Sequence, residues 1–192
     1  TEIYNDTVDL ARRVFQTDDE HLFLIPGSGS AGLDAAIGST VQGDRRILVP
    51  INGWFGNRIR NIASTHSGKV DTINFELGEP VNPDAVEKYL ANNPGVEVLA
   101  MTHCETSTGV ANPIEEIGGI CLEQDVLFLV DAVSSLGATQ LKADEWNVDI
   151  CVTASQKGLE APPGLALVSV SQNAWDLIDK TPDPGWYLNL KT

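Results

Sequence analysis

The sequence predicts an α/β domain with a mostly parallel sheet, and three observations carry that expectation. Short apolar, β-branched runs alternate with helix-like segments along the chain, the pattern of strands joined by crossovers. The run Leu127-Phe128-Leu129-Val130 is apolar throughout, as a strand covered on both faces must be. One connection near the end is too short to be a crossover, so a single strand should run against the rest.

In chain order, strands are expected over 21–25, 46–51, 70–75, 96–102, 127–133, 150–154 and 165–170. Helices are expected over 33–41, 55–64, 83–92, 113–124 and 172–179. Pro83 and Pro113 stand at or near the first positions of their helices, where the missing N–H costs nothing. Between Ala154 and Leu165 lie about ten residues that include Pro162-Pro163-Gly164, whereas a parallel crossover needs roughly a dozen or more. The strand over 165–170 should therefore be antiparallel to its predecessor. No internal repeat, low-complexity tract or interdomain linker interrupts the series.

Composition narrows the function. The 192 residues, 42% of them hydrophobic, suffice for one domain with a substantial core. A formal charge of −15 repels phosphate backbones and anionic lipid, which argues against nucleic-acid and membrane partners. No run of eighteen apolar residues occurs, and the first residues resemble no secretion signal, so the cytoplasm is the expected compartment. Cys104, Cys121 and Cys151 have no CxxC spacing for zinc or redox work and are expected to be reduced and buried. No metal site is expected.

Three segments carry chemistry. Pro26-Gly27-Ser28-Gly29-Ser30-Ala31-Gly32 follows a strand and opens a helix, where bare N–H groups and the Ser28 and Ser30 hydroxyls would hold a phosphate. Its Gly27-x-Gly29-x-x-Gly32 spacing also satisfies the dinucleotide fingerprint, but that reading wants an acid ~20 residues on, after the second strand. Asn52 and Gly53 stand there instead. A purely structural turn is the third possibility. The second segment ends in Asp131, a carboxylate at the end of a buried strand; it either caps the following turn or pairs with a cation such as a protonated pyridine nitrogen. In the third, Lys157 follows the strand over 150–154 between small and polar residues. It is either a solvated charge or an amine able to condense with an aldehyde. A phosphate anchor, a ring acid and an amine at the carboxyl edge of one sheet are what pyridoxal 5'-phosphate (PLP) requires.

PGSGSAGLDAAI, NGWFGNR, HCETSTGV, VDAVSSLG and TASQKGLEAPPGLA together resemble the class V aminotransferases of the alanine–glyoxylate and serine–pyruvate group, in the same order along nearly the whole chain. The resemblance implies the large domain of fold type I PLP enzymes: three α/β/α layers on a seven-stranded sheet with one antiparallel strand. Residues 1–192 would form that cofactor-binding domain, with a C-terminal small domain and an N-terminal segment lying outside them. It further implies that Ser28, Gly29 and Ser30 hold the phosphate and that Phe55 stacks on the pyridine, with Trp54 a one-residue alternative. Thr106 would bond the phenolic oxygen, Asp131 and Val133 would flank the ring, Gln156 would reach the phosphate, and Lys157 would form the Schiff base. An amino group would pass from a small amino acid, alanine or serine, to glyoxylate or pyruvate in a homodimer. A 2-aminoethylphosphonate or pyridoxamine transaminase of the same fold would look much alike. An NAD-binding dehydrogenase domain and a noncatalytic domain are the readings from other classes. The arginine that grips the substrate carboxylate has no match in context among Arg12, Arg13, Arg45, Arg46, Arg58 and Arg60.

Overall fold

The computed structural model describes residues 2–191. Its elements run α1 (Glu2–Phe15), β1 (His21–Pro26), α2 (Gly29–Thr40), β2 (Arg46–Ile51), α3 (Trp54–His66), β3 (Val70–Asn74), α4 (Pro83–Asn92) and β4 (Val96–Thr102). A short hairpin, β5 (Cys104–Glu105) and β6 (Val110–Ala111), then leads to α5 (Ile114–Glu123), β7 (Leu127–Asp131), β8 (Ile150–Ala154), β9 (Leu165–Val170) and α6 (Gln172–Lys180).

Seven strands form one sheet in the order β1-β9-β8-β7-β4-β2-β3. The pairs β2–β3, β2–β4, β4–β7 and β7–β8 are parallel, whereas β9 is antiparallel to both β8 and β1. The short Ala154–Leu165 connection thus returns the chain as its length requires. Side-chain alternation divides the core between two faces. Leu48, Leu99, Met101, Phe128 and Val130 pack under α1, α4 and α5, while Ile47, Val49, Val98, Leu129 and Val152 pack under α2, α3 and α6. This is the three-layer sandwich.

Two local features aim the site. The small residues of α2 let it lie close on the sheet: a Cβ on Gly32 would come within 2.9 Å of Ala166 Cβ and Val152 Cγ1. The start of α2 is therefore held at the end of β8. Asn82 and Ser171 cap α4 and α6 with their side chains, accepting from the amides of Ala85 and Ala174.

Several expectations are corrected. Helix α2 begins at Gly29, not at residue 33, because Ser28 O already accepts from the Ala31 and Gly32 amides. Strand β7 ends at Asp131, after which Ser135 N and Leu136 N both bond Ala132 O in a turn. Pro113 is the N-cap of α5 rather than its first residue. Helix α1 and the β5–β6 hairpin are additions to the expected elements. Among the cysteines, Cys121 and Cys151 are buried but Cys104 is only half-buried; all three are free thiols.

Candidate functional site

The carboxyl ends of β7 and β8 and the start of α2 meet around a small cavity of about 120 Å³. Ser28, Gly29, Ser30, Phe55, Asp131, Val133, Gln156 and Lys157 all line it, joined by Arg58 and Ser134. Thr106 does not: it sits exposed on the β5–β6 hairpin. Phe55, rather than Trp54, is the aromatic residue of the lining; Trp54 is 63% exposed and meets the Phe55 ring edge-on.

Each wall is fixed by its local chain. Ser28 has extended backbone and makes no side-chain cap, so its hydroxyl and the first amides of α2 have no partner within the helix. Gly29 approaches Val133 so closely that a Cβ would lie 2.6 Å from Val133 Cγ2. The Lys157 turn is knitted to the Pro-Pro-Gly loop through Ser155, whose hydroxyl donates to Pro162 O at 2.7 Å and accepts from Leu165 N at 3.3 Å. Gly158 packs against the Leu136 carbonyl, where a Cβ would come within 2.3 Å. Those contacts leave Lys157 exposed at the mouth of the cavity.

Asp131 is 4% exposed, and its two oxygens have different duties. Oδ1 accepts from Val133 N at 3.0 Å, the local cap that Asp at a strand end commonly makes. Oδ2 accepts from Arg58 Nη2 at 2.7 Å. Burial pushes this carboxyl above the usual range, opposed by the charge of Arg58 and by the Val133 amide. The same guanidinium donates to Ser30 Oγ at 3.2 Å, and its carbon lies 4.7 Å from the centroid of the Phe55 ring. Its Nε is buried without a partner.

Two of these residues escaped the reading of the sequence. Arg58 has no matching context as the substrate-carboxylate arginine, yet it is one helical turn from Phe55 and lines the same hollow. Glu105, fully buried, accepts from Phe55 N and Gly56 N at 3.0 Å each, and from Ser107 N and Oγ at 3.2 and 2.6 Å. Ser107 Oγ accepts in turn from Trp54 N at 3.0 Å. One carboxylate thereby clamps the first turn of α3, and with it Phe55, to the hairpin bearing Thr106. A Cβ on Gly53 would strike the Glu105 side chain at 2.4 Å, so the clamp leaves room for nothing larger there.

The arrangement fits a planar cationic ring carrying a phosphate. The cavity offers an anion cradle of uncapped amides and hydroxyls, a buried carboxylate that demands a cation, an aromatic face and a primary amine. A dinucleotide fits less well, because Asn52 after β2 is committed elsewhere: its Nδ2 donates to Glu79 O and to Asn112 Oδ1, at 2.9 Å each. A larger cavity of about 710 Å³ opens at the opposite, amino edge of the sheet, lined by Asp19, Glu97, Asp125, Asp144 and Asp149 among others. Its carboxylates would repel an anion, so volume is a poor guide to the site here. Among the described residues no group of three or more His, Cys, Asp and Glu could hold a metal, and no helix is long and apolar enough to cross a membrane.

Comparison with known proteins gives the family. The family model for aminotransferase class V matches residues 1–185. An uncharacterized aminotransferase of Methanocaldococcus jannaschii is 41% identical over 189 residues, covering 98% of this chain and 49% of that protein. Ureidoglycine–glyoxylate aminotransferase of Bacillus subtilis has a solved structure that superposes with a TM-score of 0.95 at 31% identity, over 99% of this chain and 49% of its own. An alanine–glyoxylate aminotransferase of Nostoc gives 0.93 at 32% identity, over 97% and 50%. The chain spans about half the length of the relatives it matches.

Proposed function

Because the chain belongs to the class V aminotransferases, we propose that it is the cofactor-binding part of a PLP-dependent transaminase that moves an amino group from a small amino acid to a keto acid. The observation that carries this reading is the buried Asp131 carboxylate, held by a cation at 2.7 Å in a cavity that also contains Lys157 and the open start of α2.

The cofactor supplies an electron sink when bound; the chain's own groups do the rest. Ser28, Ser30 and the α2 amides hold the phosphate, with Gln156 in reach of it. Asp131 keeps the ring nitrogen protonated through a charge-assisted hydrogen bond. Phe55 and Val133 confine the ring. Lys157 would hold the cofactor through its amine, condensing with the aldehyde with loss of water, and as a free amine it would carry the donor's α-proton. Thr106, on the hairpin beside the clamp, would bond the phenolic oxygen.

Alanine or serine as donor, with glyoxylate or pyruvate as acceptor, is the substrate class this reading favours. Both solved relatives named above carry glyoxylate in their names, which supports that acceptor. A 2-aminoethylphosphonate or pyridoxamine donor is the alternative within the same fold. The whole enzyme is proposed to be a cytoplasmic homodimer.

The test is chemical. Borohydride reduction of the full-length protein loaded with PLP, followed by peptide mapping, should find a pyridoxyl group on Lys157 and the visible band abolished. A label on another lysine, or no visible band at all, would overturn the assignment. A panel of amino donors against glyoxylate and pyruvate then decides the substrate.

A further inference from the structure

The guanidinium of Arg58 engages two groups that the proposed cofactor's ring would use. It hydrogen-bonds the acid meant for the ring nitrogen, and it stacks on the aromatic residue meant for the ring's face. With it in place the cavity measures about 120 Å³, well below the ~300 Å³ at which small-molecule sites begin. Something must move before a ligand enters. Gly29, Asp131 and Val133 are pinned by the sheet edge and by their mutual contact. Arg58 hangs on four rotatable bonds, its Nε is buried without a partner, and an open hollow of about 640 Å³ bounded by Ser30, Ala31, Asp34, Asn61, Ile62 and Thr65 adjoins it. It is the element with both the freedom and the reason to leave.

Where it goes follows from charge. Once a protonated ring nitrogen bonds Asp131, a second cation on the same oxygen is repelled. A phosphate arriving at the start of α2 lies beside Ser30, to which Arg58 Nη1 already donates at 3.2 Å. Building on the PLP reading above, we infer that Arg58 is an exchange residue: it is the counter-ion of Asp131 in the cofactor-free protein, yields that carboxylate to the incoming ring, and becomes a cation for the cofactor's phosphate.

The two halves of that role separate with two ligands, PLP and pyridoxal, the second lacking the phosphate. In the cofactor-free full-length protein, affinities are read from the visible band formed with Lys157. Arg58→Met should bind pyridoxal as tightly as wild type or more tightly, because the ring no longer competes with a guanidinium. It should bind PLP at least about tenfold more weakly, the loss of one charge-assisted contact. Arg58→Lys keeps the charge without the planar fork and should shift the PLP-to-pyridoxal preference in the same direction but less. Retained pyridoxal binding itself certifies that the variant is folded. A parallel weakening of both ligands in both variants would make Arg58 a structural partner of Asp131 and overturn the inference. So would undiminished PLP affinity, which would leave it a mere obstruction. Wild-type protein that forms no band with either ligand refutes the cofactor reading itself, a result distinct from both.

Discussion

Replacing Glu105 with Gln keeps the size of the side chain and removes one acceptor oxygen. Four donors converge on the carboxylate, two on each oxygen: Phe55 N and Gly56 N at Oε2, Ser107 N and Oγ at Oε1. Glutamine can satisfy only one pair, and it should keep its oxygen toward the two α3 amides, because Gly56 is buried whereas Ser107 is exposed. The new NH2 then faces the Ser107 amide. The Ser107 hydroxyl can rotate to accept from it, but the backbone N–H cannot. A donor stranded in this way costs about 1–3 kcal/mol, toward the lower end where water reaches it. Losing a negative charge at the α3 N-terminus adds about 0.3–1 kcal/mol. The total is about 1.5–3 kcal/mol, equivalent to roughly 3–12 °C in melting temperature for a domain of this size. Urea melts should show the lower midpoint with an unchanged slope, since the surface exposed on unfolding is the same. Relief of desolvation works the other way when a buried charge is neutralised; here four donors replace its hydration, so the loss should win. A change below about 0.5 kcal/mol would show that the clamp contributes little.

Two further outcomes follow from the site and its surroundings. Asp131→Asn in the full-length protein should still take up PLP but lose at least about 100-fold in turnover, because a neutral ring is a poorer electron sink; near-normal turnover would reduce Asp131 to the cap that its Val133 contact already makes it. His103 is buried beside Trp146 with Nδ1 unpartnered, and burial holds its pKa below the ordinary 6.5. With a lowered folded-state value, its stabilising contribution is complete above pH 6.5 and is lost as the pH falls through the folded value. The burial-raised carboxyls of Asp131 and Asp149 act oppositely, favouring the fold as they become protonated. The difference between wild type and His103→Gln isolates the histidine: wild type should lose its advantage on acidification below 6.5, and a constant difference would refute the assignment.

How much was legible depended on whether the signal was local. The strands show themselves as apolar runs or, in β3, as the β-branched Val70, Thr72 and Ile73, and the antiparallel β9 follows from counting residues between Ala154 and Leu165. Helix α1 was missed because Glu2, Asp6, Asp9, Arg12 and Arg13 obscure its narrow buried stripe, in which Ala11 and Phe15 pack against the core. The β5–β6 hairpin is two residues to a side, too short for any periodicity. Asp131 stands out because it ends an apolar strand, and Lys157 because it follows one within three residues. Arg58 and Glu105 do not: their partners lie 73 and about 50 positions away in sequence. A contact across elements depends on strand order, which no local pattern encodes. Spacing could have raised Arg58, since it shares a helix face with Phe55. Nothing local distinguishes Glu105 from a solvated glutamate in a polar turn.

The chain's charge makes the small site more informative than its size suggests. At −15 overall, the protein as a whole repels an anionic cofactor. At physiological ionic strength charges are screened beyond about 8 Å, so the net charge counts for less than the nearest groups. Those groups are sorted by sheet edge. The amino edge carries Asp19, Glu97, Asp125, Asp144 and Asp149 around the larger cavity, while the carboxyl edge presents the open amides of α2, Arg58 and Lys157. The first turn of α2 is also free of acidic side chains. Asp131 is the anion in the lining of the small cavity, and Arg58 neutralises it. An anion that reaches this edge therefore meets the open amides of α2 and the Lys157 amine, where the opposite edge would meet it with carboxylates. Parallel strands arrange this by delivering the ends of β7 and β8 and the start of α2 to one side of the sheet, which is why the chemistry gathers there and not in the larger hollow opposite.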